Sequence, residues 1–174
     1  MKNFLLAIFL LSFLTYSCSK VENCDNPLDC LPPITQTGEG TFGCLINGKT
    51  FTPGGSQLSG PTKQVSYQFL DGGYHFGMSM DHRKSKTSIF IAVRSQIEEG
   101  ETYHLVRYGR DSNYGQCYYN GSLYGTNEEL NGEIMFTNID EEKGIVSGSF
   151  WFDAVNEEGE MVRIREGRFD MEYY

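Results

Sequence analysis

The chain has 174 residues and a formal net charge of −9, with 14 basic and 23 acidic side chains. This length fits one domain rather than two. So acidic a chain, without any basic run, should repel nucleic acid and anionic lipid headgroups, and we therefore expect no nucleic-acid partner.

The first 17 residues have the composition of a secretory signal peptide. Lys2 is followed by an apolar run from Phe4 to Leu14, which only Ser12 interrupts, and the chain turns polar after Cys18. The run is too short for a membrane span, which needs about 20 apolar residues. Cleavage before Cys18 suits an ordinary signal peptidase, since residues 15 and 17 are small, and also a lipoprotein peptidase, which requires the cysteine. The mature chain would have 157 residues and a charge of −10.

The cysteine count favours the lipoprotein peptidase. The chain has five cysteines, an odd number for an oxidising compartment, and lipidation of Cys18 would leave four that can pair. We therefore predict a lipid-anchored protein of the bacterial cell envelope, in the outer membrane, whose membrane contact is the N-terminal lipid. The disulfide candidates are Cys24, Cys30, Cys44 and Cys117. Cys24 with Cys30 would close a small ring, and Cys44 with Cys117 a much longer loop, but the spacing alone does not choose the pairs.

Residues 18–40 are predicted to be a tether. They are polar, contain Pro27, Pro32 and Pro33, and lack a sustained hydrophobic period. Proline has no amide donor for a sheet and favours extended chain. The globular domain is expected over residues 41–174.

From Thr41 onward the apolar residues recur with a period of two, which predicts strands. Asn47-Gly48 predicts a tight hairpin turn, because both residues accept positive φ angles. A change of phase near Gly167 predicts a bulge. The fold is expected to be all-β, an antiparallel sandwich or a flattened meander barrel. Further strands are predicted at 65–69, 74–80, 89–93, 102–108, 117–124, 133–139, 145–155 and 161–173.

The chain contains no HExxH motif, no nucleophile elbow and no P-loop. Gly38 to Gly43 spells a dinucleotide fingerprint, but it follows a proline-rich segment and opens a strand, so no helix N-terminus would meet a phosphate. We expect no cofactor and no catalytic residue. His75, His82 and His104 with Asp81 could in principle bind a metal. His75 and Asp81 point away from the predicted core, however, and solvated surface residues explain them better.

An aromatic surface is the feature that favours ligand binding. Six tyrosines fall within residues 103–124, and Trp151 alternates with Ser149 and Asp153 rather than with the apolar residues of its strand. Exposed aromatic rings beside polar groups are typical of surfaces that bind sugars or proteins. Burial of both faces of this sheet, with Trp151 in the core, is the alternative. The candidate ligand-binding residues are Tyr108, Tyr114, Tyr118, Tyr119 and Trp151.

Two segments resemble a family of uncharacterised lipoproteins from Bacteroidetes, known only as a domain of unknown function. The first runs from Leu31-Pro32-Pro33 through 35–38 to Thr41-Phe42-Gly43-Cys44-Leu45-Ile46-Asn47-Gly48-Lys49. The second comprises 144–150, 156–159 and Gly167-Arg168-Phe169-Asp170. The resemblance implies an envelope lipoprotein with a β domain and implies no activity.

These observations predict a non-catalytic binding or structural module with a protein or glycan ligand. The alternative is a hydrolase or metal-dependent enzyme that uses His75, Asp81, His82 or His104. The two differ in geometry, since the enzyme needs histidines gathered near a carboxylate in a concave pocket.

Overall fold

The structure is a computed structural model that describes residues 24–56, 58 and 60–174. The predicted signal peptide and Cys18 lie outside the described residues. Within the described part of the chain, no helix is long and apolar enough to cross a membrane.

Strands make up most of the described chain, which confirms the all-β prediction. A short 3-10 helix, Pro27–Cys30, precedes them. The strands are β1 Thr41–Ile46, β2 Lys49–Phe51, β3 Lys63–Leu70, β4 Gly73–His82, β5 Thr87–Val93, β6 Thr102–Leu105, β7 Tyr114–Tyr119, β8 Ser122–Gly125, β9 Gly132–Asp140, β10 Ile145–Val155 and β11 Met161–Glu172.

The strands form one antiparallel sheet that folds on itself like a sandwich without closing into a barrel. Its order is β2-β1-β11-β10-β8-β7-β5-β4-β3, with β9 also paired to β10 and β6 paired to β9. The long strand β10 therefore has two neighbours on one edge: β9 along residues 145–152 and β8 at Val155 alone.

The core lies between the folded halves of the sheet and is dominated by aromatic rings. Phe136 packs edge-on against Phe76, Phe169 and Tyr103, at centroid distances of 5.0, 6.0 and 5.5 Å. Phe76 and Phe136 are fully buried, as are Met78 and Met80. The alternation predicted for β4 is thus confirmed: its even-numbered apolar residues from Phe76 to Met80 face inward, because successive side chains of a strand point to opposite faces.

One predicted turn is confirmed by the structure, and one predicted strand is wrong. Asn47 and Gly48 have φ angles of 49° and 79° and close the β1–β2 hairpin, as predicted. The strand predicted over residues 117–124 is wrong, because the chain reverses at Asn120-Gly121 and forms the β7–β8 hairpin. Both turn residues again have positive φ, 50° and 88°.

Residues 31–40, assigned to the tether by sequence, contain no helix or strand but are fastened to the sheet by Asp170. Its carboxylate accepts hydrogen bonds from the backbone N–H groups of Thr37 (3.0 Å), Gly38 (2.8 Å) and Glu39 (3.1 Å). The Ser147 hydroxyl donates a fourth, at 2.7 Å. Asp170 is 1% exposed. A buried carboxylate requires such donors, and these bonds hold the segment against the outer side of β11.

Candidate functional site

Trp151 lies on the outer face of β10, opposite a bulge in β11. Phe150 pairs with Gly167 and Phe152 with Ile164, so two residues, Arg165 and Glu166, oppose Trp151. The bulge predicted near Gly167 is therefore present. A bulge redirects the side chains of its strand, and here it carries the Arg165 guanidinium over the indole ring, at 5.3 Å from the ring centroid.

Polar contacts fix Trp151 and its neighbours in place. The indole Nε1 donates to Glu133 Oε2 at 3.2 Å, across from β9. Arg165 Nη2 lies 2.7 Å from Asp153 Oδ1, and its Nη1 donates to the backbone oxygens of Phe152 (3.2 Å) and Ile164 (2.8 Å). The cation–π contact with Arg165 and these hydrogen bonds hold the indole in one orientation, so a ligand that binds to it would not have to order it first.

A groove of about 550 Å³ runs along this face; we call it the Trp151 groove. Its walls are apolar at Ile34, Met135 and Trp151 and charged at Glu133 and Arg168. Ile34 is 73% exposed and Met135 is 37% exposed. Small-ligand sites are usually concave and largely apolar, with a few fixed polar groups. The complete lining is Ile34, Thr102, Glu133, Met135, Thr137, Gly148, Ser149, Phe150, Trp151, Arg165, Glu166, Gly167 and Arg168.

The tyrosines of residues 103–124 do not form one aromatic surface. Tyr108 (64% exposed) and Tyr118 (39% exposed) face outward. Tyr114 is also on the outer face but is buried, since Tyr108 packs edge-on against it at 4.8 Å. Tyr119 packs on the core instead. No ring contact between any of these tyrosines and Trp151 occurs in the described part of the chain, so the predicted candidates divide between separate surfaces.

The three histidines are not brought together. His75 and His82 lie at opposite ends of β4, where Arg94 Nη1 donates to His75 Nδ1 (3.0 Å) and Ser85 contacts His82 Nδ1. His104, on β6, is 75% exposed in its side chain and lies 3.5 Å from Glu133. Among the residues that the structure describes, no group of three or more histidine, cysteine, aspartate or glutamate side chains could hold a metal ion.

The cysteines resolve one of the pairings left open by sequence. Cys24 and Cys30 form a disulfide with a Cα–Cα distance of 5.7 Å. Cys44 and Cys117 are free thiols in the core, so the second pairing is not formed. Burial raises the pKa of Cys117 to about 12, and burial together with the nearby Cys117 raises the pKa of Cys44. Both thiols are consequently poor nucleophiles at neutral pH.

Sequence reasoning missed the partners of Trp151. Glu133 and Arg165 lie 18 residues before and 14 residues after Trp151 in the chain, and neither belongs to a motif. The alternation of β10 places Trp151 on the face opposite Phe150 and Phe152, but left open whether that face is covered. The registers of β9 and β11, which bring Glu133 and Arg165 to the indole, carry no local sequence signal.

Comparisons with known proteins place the chain in a family. No curated protein and no solved structure matches it. A family model matches residues 82–171, a span that extends from the end of β4 into β11 and contains Trp151, Glu133 and Arg165. The match covers just over half of the chain, and the protein therefore belongs to the family described as Domain of unknown function (DUF6252).

Proposed function

We propose that the protein is an outer-membrane lipoprotein of a Bacteroidetes cell envelope, whose β domain is a non-catalytic module that binds a glycan in the Trp151 groove. The anchor rests on the sequence of residues 1–18. The binding role rests on one observation, the outward indole held by Glu133 and Arg165 inside a concave, largely apolar groove.

A glycan suits this groove better than a protein segment for a chemical reason. A sugar ring has an apolar C–H face that can lie on an indole, and hydroxyl groups around its rim that need hydrogen-bond partners. The apolar surface of the groove is formed by the Trp151 indole and Met135. Around it, Glu133 and Glu166 offer hydrogen-bond acceptors and Arg168 offers hydrogen-bond donors.

Replacing Trp151 by Ala should abolish most of the binding. We expect the protein, made without residues 1–17 and with Cys18→Ser, to bind defined members of a glycan array, and Trp151→Ala to weaken each such interaction at least about tenfold. Phe69→Ala is the matched control, because Phe69 is a 61% exposed aromatic residue at the tip of the β3–β4 hairpin. An array without binding, or Trp151→Ala binding as tightly as the control, would exclude the glycan proposal.

Replacing Cys18 by Ser should release the protein from the membrane. Wild-type protein from cells should sediment with membranes and carry the mass of a diacylglyceryl group on Cys18, because a lipid chain buries many methylene groups in the bilayer. Cys18→Ser should lack the lipid mass and, after cleavage by an ordinary signal peptidase, should appear in the soluble fraction. Mass spectrometry that finds Cys18 unmodified in the native protein would refute the anchor, while the glycan result would stand unaffected.

A further inference from the structure

Two neighbouring hairpins, β7–β8 and β10–β11, separate at one end of the sheet. Strand β8 meets β10 at a single pair, Gly125 with Val155. Beyond this pair β10 has ended, and Asn156 to Glu158 belong to the β10–β11 turn. These turn residues line one side of a groove, and Ser122 and Leu123 of β8 line the other. The groove has a volume of about 920 Å³, and we call it the hairpin groove.

The edge of β8 that faces the hairpin groove carries unpaired backbone groups. Ser122 pairs with Tyr119 across a two-residue turn, which makes this pair a hydrogen-bonded one. Farther along, Thr126 N donates to Gly115 O at 3.0 Å. Residues 122, 124 and 126 thus direct their N–H and C=O groups to β7, and the alternation directs those of Leu123 into the groove. No strand of the described chain pairs with Leu123 on that side.

The side chains around this edge combine apolar contact area with negative charge. Leu123 is 54% exposed and Tyr108 is 64% exposed, and both line the groove. Its acidic lining residues are Glu128 and Glu129 on one loop and Glu157 and Glu158 on the β10–β11 turn, against one basic residue, Arg107. None of these four glutamates takes part in an ion pair within the described residues.

We propose that the hairpin groove docks an extended, lysine- or arginine-containing segment of a partner polypeptide, which adds to the sheet beside Leu123. Unpaired strand edges recruit extended peptides through backbone hydrogen bonds, and the side-chain surroundings select the sequence. The four unpaired carboxylates select a basic segment. A second copy of this chain is a poor occupant, because each copy carries a net charge of −9. The surface is independent of the Trp151 groove.

Peptide binding tests the charge requirement. The probe is a blocked octapeptide, acetyl-KTKVKTKV-amide, and its acidic counterpart, acetyl-ETEVETEV-amide, is the negative probe. We expect the full-length mature protein to bind the basic peptide, with affinity that falls as salt rises, and to bind the acidic one at least about tenfold more weakly. Equal binding of the two peptides, or no binding of the basic one, would refute the proposal.

Matched double variants locate the site. The pair Glu157→Gln/Glu158→Gln should weaken basic-peptide binding about tenfold and reduce its salt dependence. The pair Glu98→Gln/Glu99→Gln is the control, because it neutralises the same Glu-Glu-Gly-Glu sequence in another turn. Trp151→Ala should leave peptide binding unchanged. An equal loss in both double variants would show a general charge effect and overturn the assignment.

Backbone hydrogen bonding between the peptide and Leu123 can be tested by a change in the protein and by a change in the peptide. Leu123→Pro removes an N–H that β7 does not use, so the β7–β8 hairpin should persist while peptide affinity falls about tenfold. Two versions of the basic peptide carry N-methyl groups on alternate residues, one on the odd-numbered and one on the even-numbered residues. The version whose methyl groups block pairing with Leu123 should bind the wild-type protein about tenfold more weakly. This test leaves the protein itself unchanged. If neither N-methylated version binds more weakly, the peptide does not add as a strand and the proposal fails.

Discussion

Asp170→Ala should destabilise the protein by about 3–4 kcal/mol at neutral pH. The substitution leaves the donors of Thr37, Gly38, Glu39 and Ser147 without their acceptor. An unmade hydrogen bond costs about 1–3 kcal/mol for a buried donor such as the Ser147 hydroxyl, and less for the three part-buried N–H groups, which water can reach. Because residues 31–40 would lose their main attachment, we also expect faster amide hydrogen exchange in that segment. Urea unfolding of the mature protein measures the stability loss.

The same carboxylate gives the stability a defined pH dependence. Burial of Asp170 would raise its pKa, but the hydrogen bonds that its carboxylate accepts, among them those from the Glu39 N–H, the Ser147 hydroxyl and the Gly38 N–H, outweigh burial and lower the pKa from 3.8 to about 2. A depressed folded-state pKa stabilises the protein above the unfolded-state pKa and ceases to do so as the pH falls through the folded-state value. The shift corresponds to about 2 kcal/mol. The difference between wild type and Asp170→Ala should therefore shrink by about 2 kcal/mol between about pH 5 and about pH 1.5.

Asp140→Ala is the matched control for this prediction. Asp140 makes a surface ion pair with Lys143 at 2.8 Å, and such pairs contribute about 0–1 kcal/mol. If the two aspartate variants lose equal stability, or if the Asp170→Ala difference does not change with pH, the carboxylate does not hold the segment in the way the structure indicates.

The burial of Asp170 could not be predicted from the sequence. The alternation of β11 predicts that Asp170 faces outward, which for an aspartate normally means solvent. Its burial is produced by residues 31–40, more than 130 positions earlier in the chain, whose backbone N–H groups converge on it. Composition indicates only that this segment lacks a sustained hydrophobic period. Backbone donors carry no sequence signal, so the attachment of the segment is visible only in three dimensions.

Local signals were more informative where the turn chemistry was strong. Asn47-Gly48 predicted a hairpin that the structure contains, and the same dipeptide at Asn120-Gly121 marks the turn that the strand prediction for 117–124 ignored. Apolar residues on both sides of the dipeptide conceal the turn, although the inward-facing positions change across it from odd numbers, such as Cys117, to even numbers, such as Tyr124. This missed turn creates strand β8, and with it the free edge of the hairpin groove. For Trp151, the alternation separated its face from that of Phe150 and Phe152, and the structure was needed to show that this face is not covered.

Gly148→Ala should destabilise the protein by about 3 kcal/mol or more, although the same change at Gly125 should be nearly neutral. A Cβ at position 148 would lie 2.1 Å from the backbone oxygen of Met135 and 2.7 Å from the Phe169 ring, where β9, β10 and β11 meet. Overpacking in a dense core costs about 1–3 kcal/mol and more where backbone must move. A Cβ at Gly125 would meet no atom within 4 Å.

Urea unfolding of the two glycine variants provides the comparison, since both residues lie in strands and undergo the same chemical change. We expect Gly148→Ala to lower the urea midpoint and the free energy of unfolding strongly. Gly125→Ala should leave the free energy of unfolding within about 0.5 kcal/mol of wild type. Equal midpoints for the two variants would mean that β9 and β10 do not approach as closely as the structure shows. The register that sets Glu133 against Trp151 would then be wrong as well, because one β9–β10 ladder fixes both contacts.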